Sequence, residues 1–250
     1  RGTVSTTINL VINSDFAGNK LIRLNGTSGN FNDVSITLQS SSRVLEYVEN
    51  TTIDGDLTIN VGEFQHFSSS FSLDVQGDCT INNTGKLDGG AGSIELGSLT
   101  INSGGTYVAT SGTTTITNET SGGFAIDHDG TFTHNKGKVN ITTANTSIDI
   151  AGTGNLYDLE INGFVKLVSG NYTIDNNVTI ASGHTFTTNN LSTSVTVLGN
   201  VNVSGTFWRT DNSGTVTLGG LTINSGGTYN ATNGTTIMKG ALRNLGGTIS

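Results

Sequence analysis

The chain has 250 residues, a formal net charge of −8, 35 glycines, 41 threonines, 29 asparagines and no proline. It carries only 11 lysines and arginines, which argues against nucleic acid as a partner, because phosphates demand clustered cations. No apolar run approaches the ~20 residues of a membrane-spanning helix, so we expect no membrane insertion. Abundant Thr, Val and Ile favour strands, and abundant Gly and Asn favour tight turns.

The first 52 residues are the least regular part of the sequence. Apolar residues alternate with polar ones in two segments there, at Ile8, Leu10 and Ile12 and again at Val34, Ile36 and Leu38. Alternation with period 2 predicts strands that bury one face. We therefore expect residues 1–52 to form irregular first coils, a cap or an assembly strand, followed by one continuous regular domain at 53–250.

A four-residue phrase recurs through the rest of the chain. Its first and third residues are apolar and its second is mostly Thr, and it occurs at 57–60, 79–82, 99–102, 124–127, 159–162, 178–181, 201–204 and 221–224. We interpret these phrases as eight strands stacked in one column. The gap from Ile126 to Ile161 is wide enough for a degenerate extra coil near Ile148.

Each phrase leads into a glycine-bearing corner, then an aromatic residue or leucine, then a third short strand. Three short strands in about 20–25 residues are typical of an all-β parallel β-helix, or β-solenoid, in which each coil pairs with the next. A β-sandwich, the rival architecture, predicts antiparallel hairpins. It does not predict that the same residue types recur at the same strand positions in one direction along the chain.

Two further patterns support stacking of coils. Residues 96–114 and 218–236 are identical at sixteen of nineteen positions, at an offset of 122 residues. Asn follows the central Ile in five of the eight phrases, which predicts an internal Asn ladder whose amides hydrogen-bond from coil to coil.

The phrases LTINSGGTY and GTVTLGG resemble the β-solenoid repeats of microbial surface proteins, including haemagglutinin-like adhesins, fibre proteins and right-handed β-helix domains. The resemblance covers roughly residue 53 to the end. It implies the architecture. We interpret the chain as a non-enzymatic subunit of an extracellular filament, sheath or surface fibre, with copies of itself as partners. An adhesin stalk, or a receptor- or carbohydrate-binding module such as a phage fibre, is the alternative, with glycans or a host cell surface as partners. A polysaccharide lyase or hydrolase is more distant.

The sequence predicts no catalytic residue, cofactor or metal centre. Asp158 and Glu160 flank an inward Leu and are interpreted as solvated surface acids. Asp127 and Asp129 resemble a fragment of a calcium loop, but further oxygen ligands and a distal carboxylate are lacking. Cys79 occupies an apolar column and is predicted to be a buried, inert thiol.

Candidate contact residues lie on one outer face and at the two ends. Trp208 follows an inward Phe207 and should project outward beside Arg209, where it could stack on a sugar or a neighbouring chain. The alternative is that it packs under a loop. Because a solenoid exposes strand edges at its ends, the candidate assembly residues are Ile8, Leu10, Ile12, Leu242, Leu245 and Ile249.

Twelve Asn-x-Ser/Thr sequons occur, and Asn82 is set aside because it belongs to the predicted ladder. The candidate N-glycosylation sites are the other eleven, at Asn25, Asn50, Asn118, Asn140, Asn145, Asn171, Asn177, Asn190, Asn202, Asn230 and Asn233.

Overall fold

The computed structural model describes residues 9–14, 19–22, 25–26, 29–68, 71–169, 171–188, 194–209, 214–231 and 234–250. These ranges contain 29 strands, which we number in chain order, and no helix. Apart from a small antiparallel pair, β3 (Asn25–Gly26) and β4 (Gly29–Asn30), the strands pair in parallel with strands one coil away. The result is a β-solenoid of about 10 turns, as the sequence predicted.

Each turn contributes to three parallel ladders, which we call faces one, two and three. Five long strands bend at a corner and contribute to two faces each: β8 (Leu57–His66), β9 (Leu73–Ile81), β11 (Ile94–Ile101), β23 (Val195–Val203) and β25 (Thr215–Ile223). Face one contains the first half of β8, the second halves of β9 and β11, and nine shorter strands: β1 (Leu10–Ser14), β5 (Val34–Leu38), β14 (Phe124–His128), β17 (Thr146–Ile150), β19 (Phe164–Ser169), β22 (Thr185–Thr188), β24 (Thr206–Arg209), β26 (Thr228–Ala231) and β29 (Thr248–Ile249).

Faces two and three complete each turn. Face two contains the second half of β8, the first halves of β23 and β25, and seven shorter strands: β2 (Lys20–Ile22), β6 (Val44–Tyr47), β10 (Gly85–Asp88), β12 (Thr106–Val108), β15 (Thr131–Thr133), β20 (Tyr172–Ile174) and β27 (Thr235–Met238). Face three contains the first halves of β9 and β11, the second halves of β23 and β25, and six shorter strands: β7 (Thr51–Ile53), β13 (Thr113–Ile116), β16 (Lys138–Ile141), β18 (Asp158–Ile161), β21 (Val178–Ile180) and β28 (Leu242–Asn244).

The core is a set of inward columns that run along the rod. On face one, each Ile lies in register on the next along a fully buried column formed by Ile36, Ile59, Ile81 and Ile101. Burial of one such side chain stabilises the fold by about 1.5–3 kcal/mol. The intervening Thr positions face outward, so the predicted strand parity is confirmed.

The eight phrases do not form the single column that the sequence predicted. Those at 57–60, 79–82 and 99–102 stack on face one. Those at 159–162, 178–181, 201–204 and 221–224 stack on face three. The change of face falls in the middle of the chain. Ile126 pairs with Ile148 on face one, whereas Leu159 pairs with Val139 on face three. The extra coil at Ile148 is confirmed, as strand β17.

The phrase at 124–127 is also out of register by two residues. Ile126 pairs with Leu99, and His128 pairs with Ile101. The imidazole of His128 therefore occupies an inward column, where its exposed fraction is 1%. Asp127 faces outward between Thr100 and Asp149 and does not join the Asn ladder.

Glycines allow coils to approach closely where the long strands bend. A Cβ on Gly97 would collide with the backbone carbonyl of Gly77, and a Cβ on Gly219 would collide with that of Leu198. Both glycines lie in the nineteen-residue repeat, at equivalent positions. The repeat therefore encodes a bent strand that a side chain would push away from its neighbour.

The Asn ladder is present over three coils, and its amides are partly exposed rather than internal. Asn102 Nδ2 donates to Asn82 Oδ1 at 2.7 Å, and Asn82 Nδ2 donates to Asn60 Oδ1 at 2.8 Å. The second half has a shorter counterpart, in which Asn224 Nδ2 donates to Ser204 Oγ at 2.9 Å. These bonds tie the corners of successive coils together.

Candidate assembly surface

The last coil, residues 235–250, presents apolar side chains that continue the buried columns of the coil before it. We call it the end coil. Leu242 stacks in register on the buried Leu221, yet its exposed fraction is 53%. Ile249 stacks on Tyr229 and is 48% exposed. Both side chains have a partner coil on one side, and no described residue covers the other.

One column ends in a polar residue. Asn244 lies in register on Ile223, at the end of a buried column formed by Ile161, Ile180, Val203 and Ile223. Its Oδ1 accepts hydrogen bonds from the backbone N–H groups of Gly246 and Gly247, at 3.1 and 2.8 Å, and its Nδ2 donates to the Gly247 carbonyl at 3.2 Å. Because this amide is satisfied within its own coil, a further coil can cover it at little cost.

The opposite end of the rod carries strand β1. Leu10 and Ile12 are half-buried on Val34 and Ile36 of β5, the one strand with which β1 pairs among the described residues. Val11 faces outward and is 69% exposed. Ile8, the third candidate at this end, lies outside the described residues. A strand with one free edge can add to the open edge of another sheet through main-chain hydrogen bonds.

Trp208 faces outward, as predicted, and is 42% exposed, between Thr187 and Asn230 in the neighbouring coils. Arg209 does not lie beside it on the surface. The guanidinium of Arg209 is buried, and it donates to the Gly214 carbonyl at 2.7 Å and to Thr236 Oγ1 at 3.2 Å. Its role in the structure is to link strands inside the rod, which leaves Trp208 as the exposed contact candidate of the pair.

The calcium-like fragment is divided between an outer face and a corner. Asp127 lies on the outer surface of face one, and its pKa is raised by burial and by the nearby charges of Asp129 and Asp149. His128, between Asp127 and Asp129, points inward, and its Nε2 lies 3.1 Å from the carbonyl of Thr153. Within the described ranges, no group of three or more His, Cys, Asp or Glu side chains is placed to hold a metal ion.

The acids considered for catalysis take part in local hydrogen bonding. Asp158 Oδ1 accepts from the backbone N–H of Asn177 at 2.9 Å. Glu160 pairs with Lys138 at 2.6 Å and accepts from Asn162 Nδ2 at 3.0 Å, and these contacts lower the pKa of its carboxyl group. The sequence missed the contacts with Lys138 and Asn177 because they join coils whose register it could not give. Cys79 is buried, as predicted, and burial raises the pKa of its thiol to about 12.

The sequons differ in how their side chains are used. Asn118 and Asn145 are exposed, and their amides make no hydrogen bond among the described residues. By contrast, five other sequon asparagines accept a hydrogen bond through the side-chain oxygen, from a residue of a neighbouring coil or of the same strand. They are Asn50, Asn140, Asn171, Asn177 and Asn202. Asn230 is half-buried, and the side chains of Asn25, Asn190 and Asn233 lie outside the part of the chain whose side chains are described.

The parallel pairing defines the class of the protein, a three-faced parallel β-solenoid. No family model matches the chain, and neither does any curated protein. Among solved structures, that of a TibC-catalyzed hyper-glycosylated TibA55-350 fragment aligns with 100% of this chain and 96% of its own, at 17% identity and a TM-score of 0.29. Similarity at this level supports no conclusion about function. The described ranges contain no helix long and apolar enough to cross a membrane.

Proposed function

We propose that this chain is a non-enzymatic structural β-solenoid whose copies stack end to end into an extracellular filament, sheath or surface fibre. The observation that supports this proposal is the end coil, which continues the inward columns in register but leaves Leu242 and Ile249 half-exposed. Exposed apolar side chains in line with a packed column are stabilised by another coil, because covering them removes apolar area from water.

A second copy is the occupant that the ladders favour. Strand β29 at one end and strand β1 at the other both belong to face one, and β27 and β2 both belong to face two. A copy placed on the end coil would therefore continue two ladders in the same order. Such a head-to-tail contact is heterologous and does not close, so it generates a filament.

The test compares inward and outward exposed positions of the end coil. Leu242→Lys combined with Ile249→Lys places charges in the inward columns, whereas Ile237→Lys, the matched control, places one charge on an outward position that is 38% exposed. We expect the wild type and the control to form long rods by light scattering and negative-stain microscopy. The double variant should remain a monomer with an unchanged circular dichroism spectrum.

The opposite end supplies an independent check. Ile12→Lys in β1 should block assembly alone, and mixing it with the double variant should restore dimers, because one intact end of each type remains. A wild type that stays monomeric at high concentration would overturn the proposal, as would a double variant that still forms filaments of normal length.

An adhesin stalk or a receptor- or carbohydrate-binding module is the second candidate, and the exposed indole of Trp208 favours it. Aromatic rings on a wet surface often serve as contacts for sugars or proteins. Binding of the monomeric double variant to a glycan array, followed by loss of that binding in Trp208→Ala, would support this function. An array with no bound glycan would count against it.

We also propose Asn118 and Asn145 as the preferred glycan acceptors, because both amides are exposed and free of hydrogen bonds among the described residues. Expression in a host with oligosaccharyltransferase and mass spectrometry of the peptides should show higher occupancy there than at Asn140 or Asn177. Equal occupancy at all four would contradict this ranking.

A further inference from the structure

A cleft opens at the corner between faces three and one, where three successive coils have corners of different lengths. Three residues join the inward positions Ile161 and Val165, whereas four residues, 142–145, make the corresponding corner one coil earlier. Five residues, 181–185, make it one coil later. The short middle corner lies between these longer neighbours, and residues of all three corners line a cleft of about 230 Å³.

The cleft combines an aromatic residue with polar side-chain groups that form no hydrogen bonds among the described residues. Phe164 is half-buried and lines the cleft, together with Asn162, His184 and Thr185. The Asn162 amide nitrogen donates to Asn140 at 2.8 Å and to Glu160 at 3.0 Å, which fixes the side chain. Its Oδ1, the His184 imidazole and the Thr185 hydroxyl form no hydrogen bonds among the described residues.

We infer that this cleft binds a single neutral sugar ring. An aromatic face packs against the C–H groups of a sugar, and amide, imidazole and hydroxyl groups match its hydroxyls. The cleft is smaller than the about 300–1,000 Å³ of sites for drug-sized ligands, which suits one ring. Apart from the His184 imidazole, the residues that line the cleft carry no basic side chain, which favours a neutral ring over an acidic sugar.

The chain contains its own control for this site. The corner at 204–206 is equally short and lies between two five-residue corners, 181–185 and 224–228. There the position of Phe164 is taken by Thr206, two coils along the same outward row. We expect a corner that is equally short but has no aromatic ring not to bind sugar. The inference is independent of end-to-end assembly, since both a filament and a single rod carry the cleft.

The experiment uses saturation-transfer NMR on the full chain with methyl glycosides of glucose, galactose, mannose and N-acetylglucosamine, and with glucuronic acid as the anionic comparison. We expect at least one neutral glycoside to bind with a dissociation constant on the order of 1 mM, as befits one small ring. The same glycoside should shift the ring signals of His184, and glucuronic acid should bind at least tenfold more weakly.

Two variants locate the binding. Phe164→Leu keeps apolar bulk but removes the ring, and His184→Gln removes the imidazole at a partly exposed position, so the second keeps the test decisive should the first unfold. Each should weaken binding at least tenfold, whereas Thr206→Val and Trp208→Leu should leave it unchanged. The inference is overturned if no glycoside binds, if both cleft variants bind as the wild type does, or if Trp208→Leu alone abolishes binding.

Discussion

Residues 96–114 and 218–236 have nearly the same sequence but lie on different faces of the rod. In the first copy, the strand β11 bends from face three to face one, and Tyr107 follows on face two. In the second copy, β25 bends from face two to face three, and Tyr229 follows on face one. The local contacts nevertheless agree, because each tyrosine hydroxyl bonds a threonine seven residues on, at 2.8 Å in the first copy and 2.7 Å in the second.

The difference shows that the repeat encodes a local structure and not a place in the coil. A bent strand, a corner and an aromatic strand form one unit, and that unit occurs at two different positions around the coil. The offset of 122 residues is therefore not a whole number of coils. The shift by one face occurs between Ile126, which pairs with Ile148 on face one, and Leu159, which pairs with Val139 on face three.

The largest expected effect is that of deleting half a coil, compared with deleting a whole one. Val201 pairs with Leu221 twenty residues later, so removal of 200–219 takes out one whole coil and should leave a folded, shorter rod. Removal of 200–209 shifts every later strand onto another face and breaks the aromatic stack of Phe186, Phe207 and Tyr229. We expect that variant to aggregate on size-exclusion chromatography. A folded product would show that faces are interchangeable anywhere along the rod.

Replacing the central Ile of each copy tests whether the two faces bury it equally. Ile101 and Ile223 are both fully buried, so Ile101→Asn and Ile223→Asn should each lower the free energy of unfolding by about 3–5 kcal/mol. The outward controls Thr100→Asn and Thr222→Asn should cost less than about 1 kcal/mol. Urea denaturation measures all four, and equal losses for inward and outward variants would contradict the strand parity.

The corner amides differ between the halves and should differ in energy. Asn82 exchanges two hydrogen bonds with its neighbours, whereas Asn224 makes one. At about 0.5–1.5 kcal/mol for each bond, Asn82→Ala should cost roughly twice as much as Asn224→Ala. The two urea midpoints give the comparison. A larger loss at Asn224 would mean that the ladder in the first half contributes little.

The smallest expected effect concerns His128, which replaces the Ile of its column. Burial lowers its pKa below the ordinary value of 6.5, so the folded state holds the ring neutral and the unfolded state takes up the proton first. The wild type should therefore lose stability as the pH falls below about 6.5. His128→Ile should gain about 1 kcal/mol at neutral pH and more in acid. A stability difference that is independent of pH between 7 and 5 would contradict this account.

Much of the fold follows from alternation in the sequence. Ile59, Ile81 and Ile101 are buried as their period-2 pattern predicts, and Cys79 is inward because it replaces an apolar residue of the same column. The parallel pairing also follows, because the same apolar–Thr–apolar pattern recurs in one direction along the chain. Trp208 is exposed for the same reason, since it adjoins the inward Phe207.

Register in the middle of the chain could not be predicted from that pattern. Ile126 lies five residues before Thr131, as Ile101 lies five before Thr106, so spacing favoured Ile126 as the central residue. In the structure, the corner after His128 is two residues shorter, and His128 takes the central place. No rule of hydrophobicity selects a histidine over an isoleucine for a core position. The burial of Arg209 escaped prediction likewise, because a charged residue next to an exposed Trp suggests a wet surface.

The shift of one face also changes what a neighbouring object can touch. The outward threonines Thr58, Thr80 and Thr100 look out from face one, whereas Thr179 and Thr222 look out from face three. A flat neighbour rests on one side of a rod, so it meets the hydroxyl row of one half and misses that of the other.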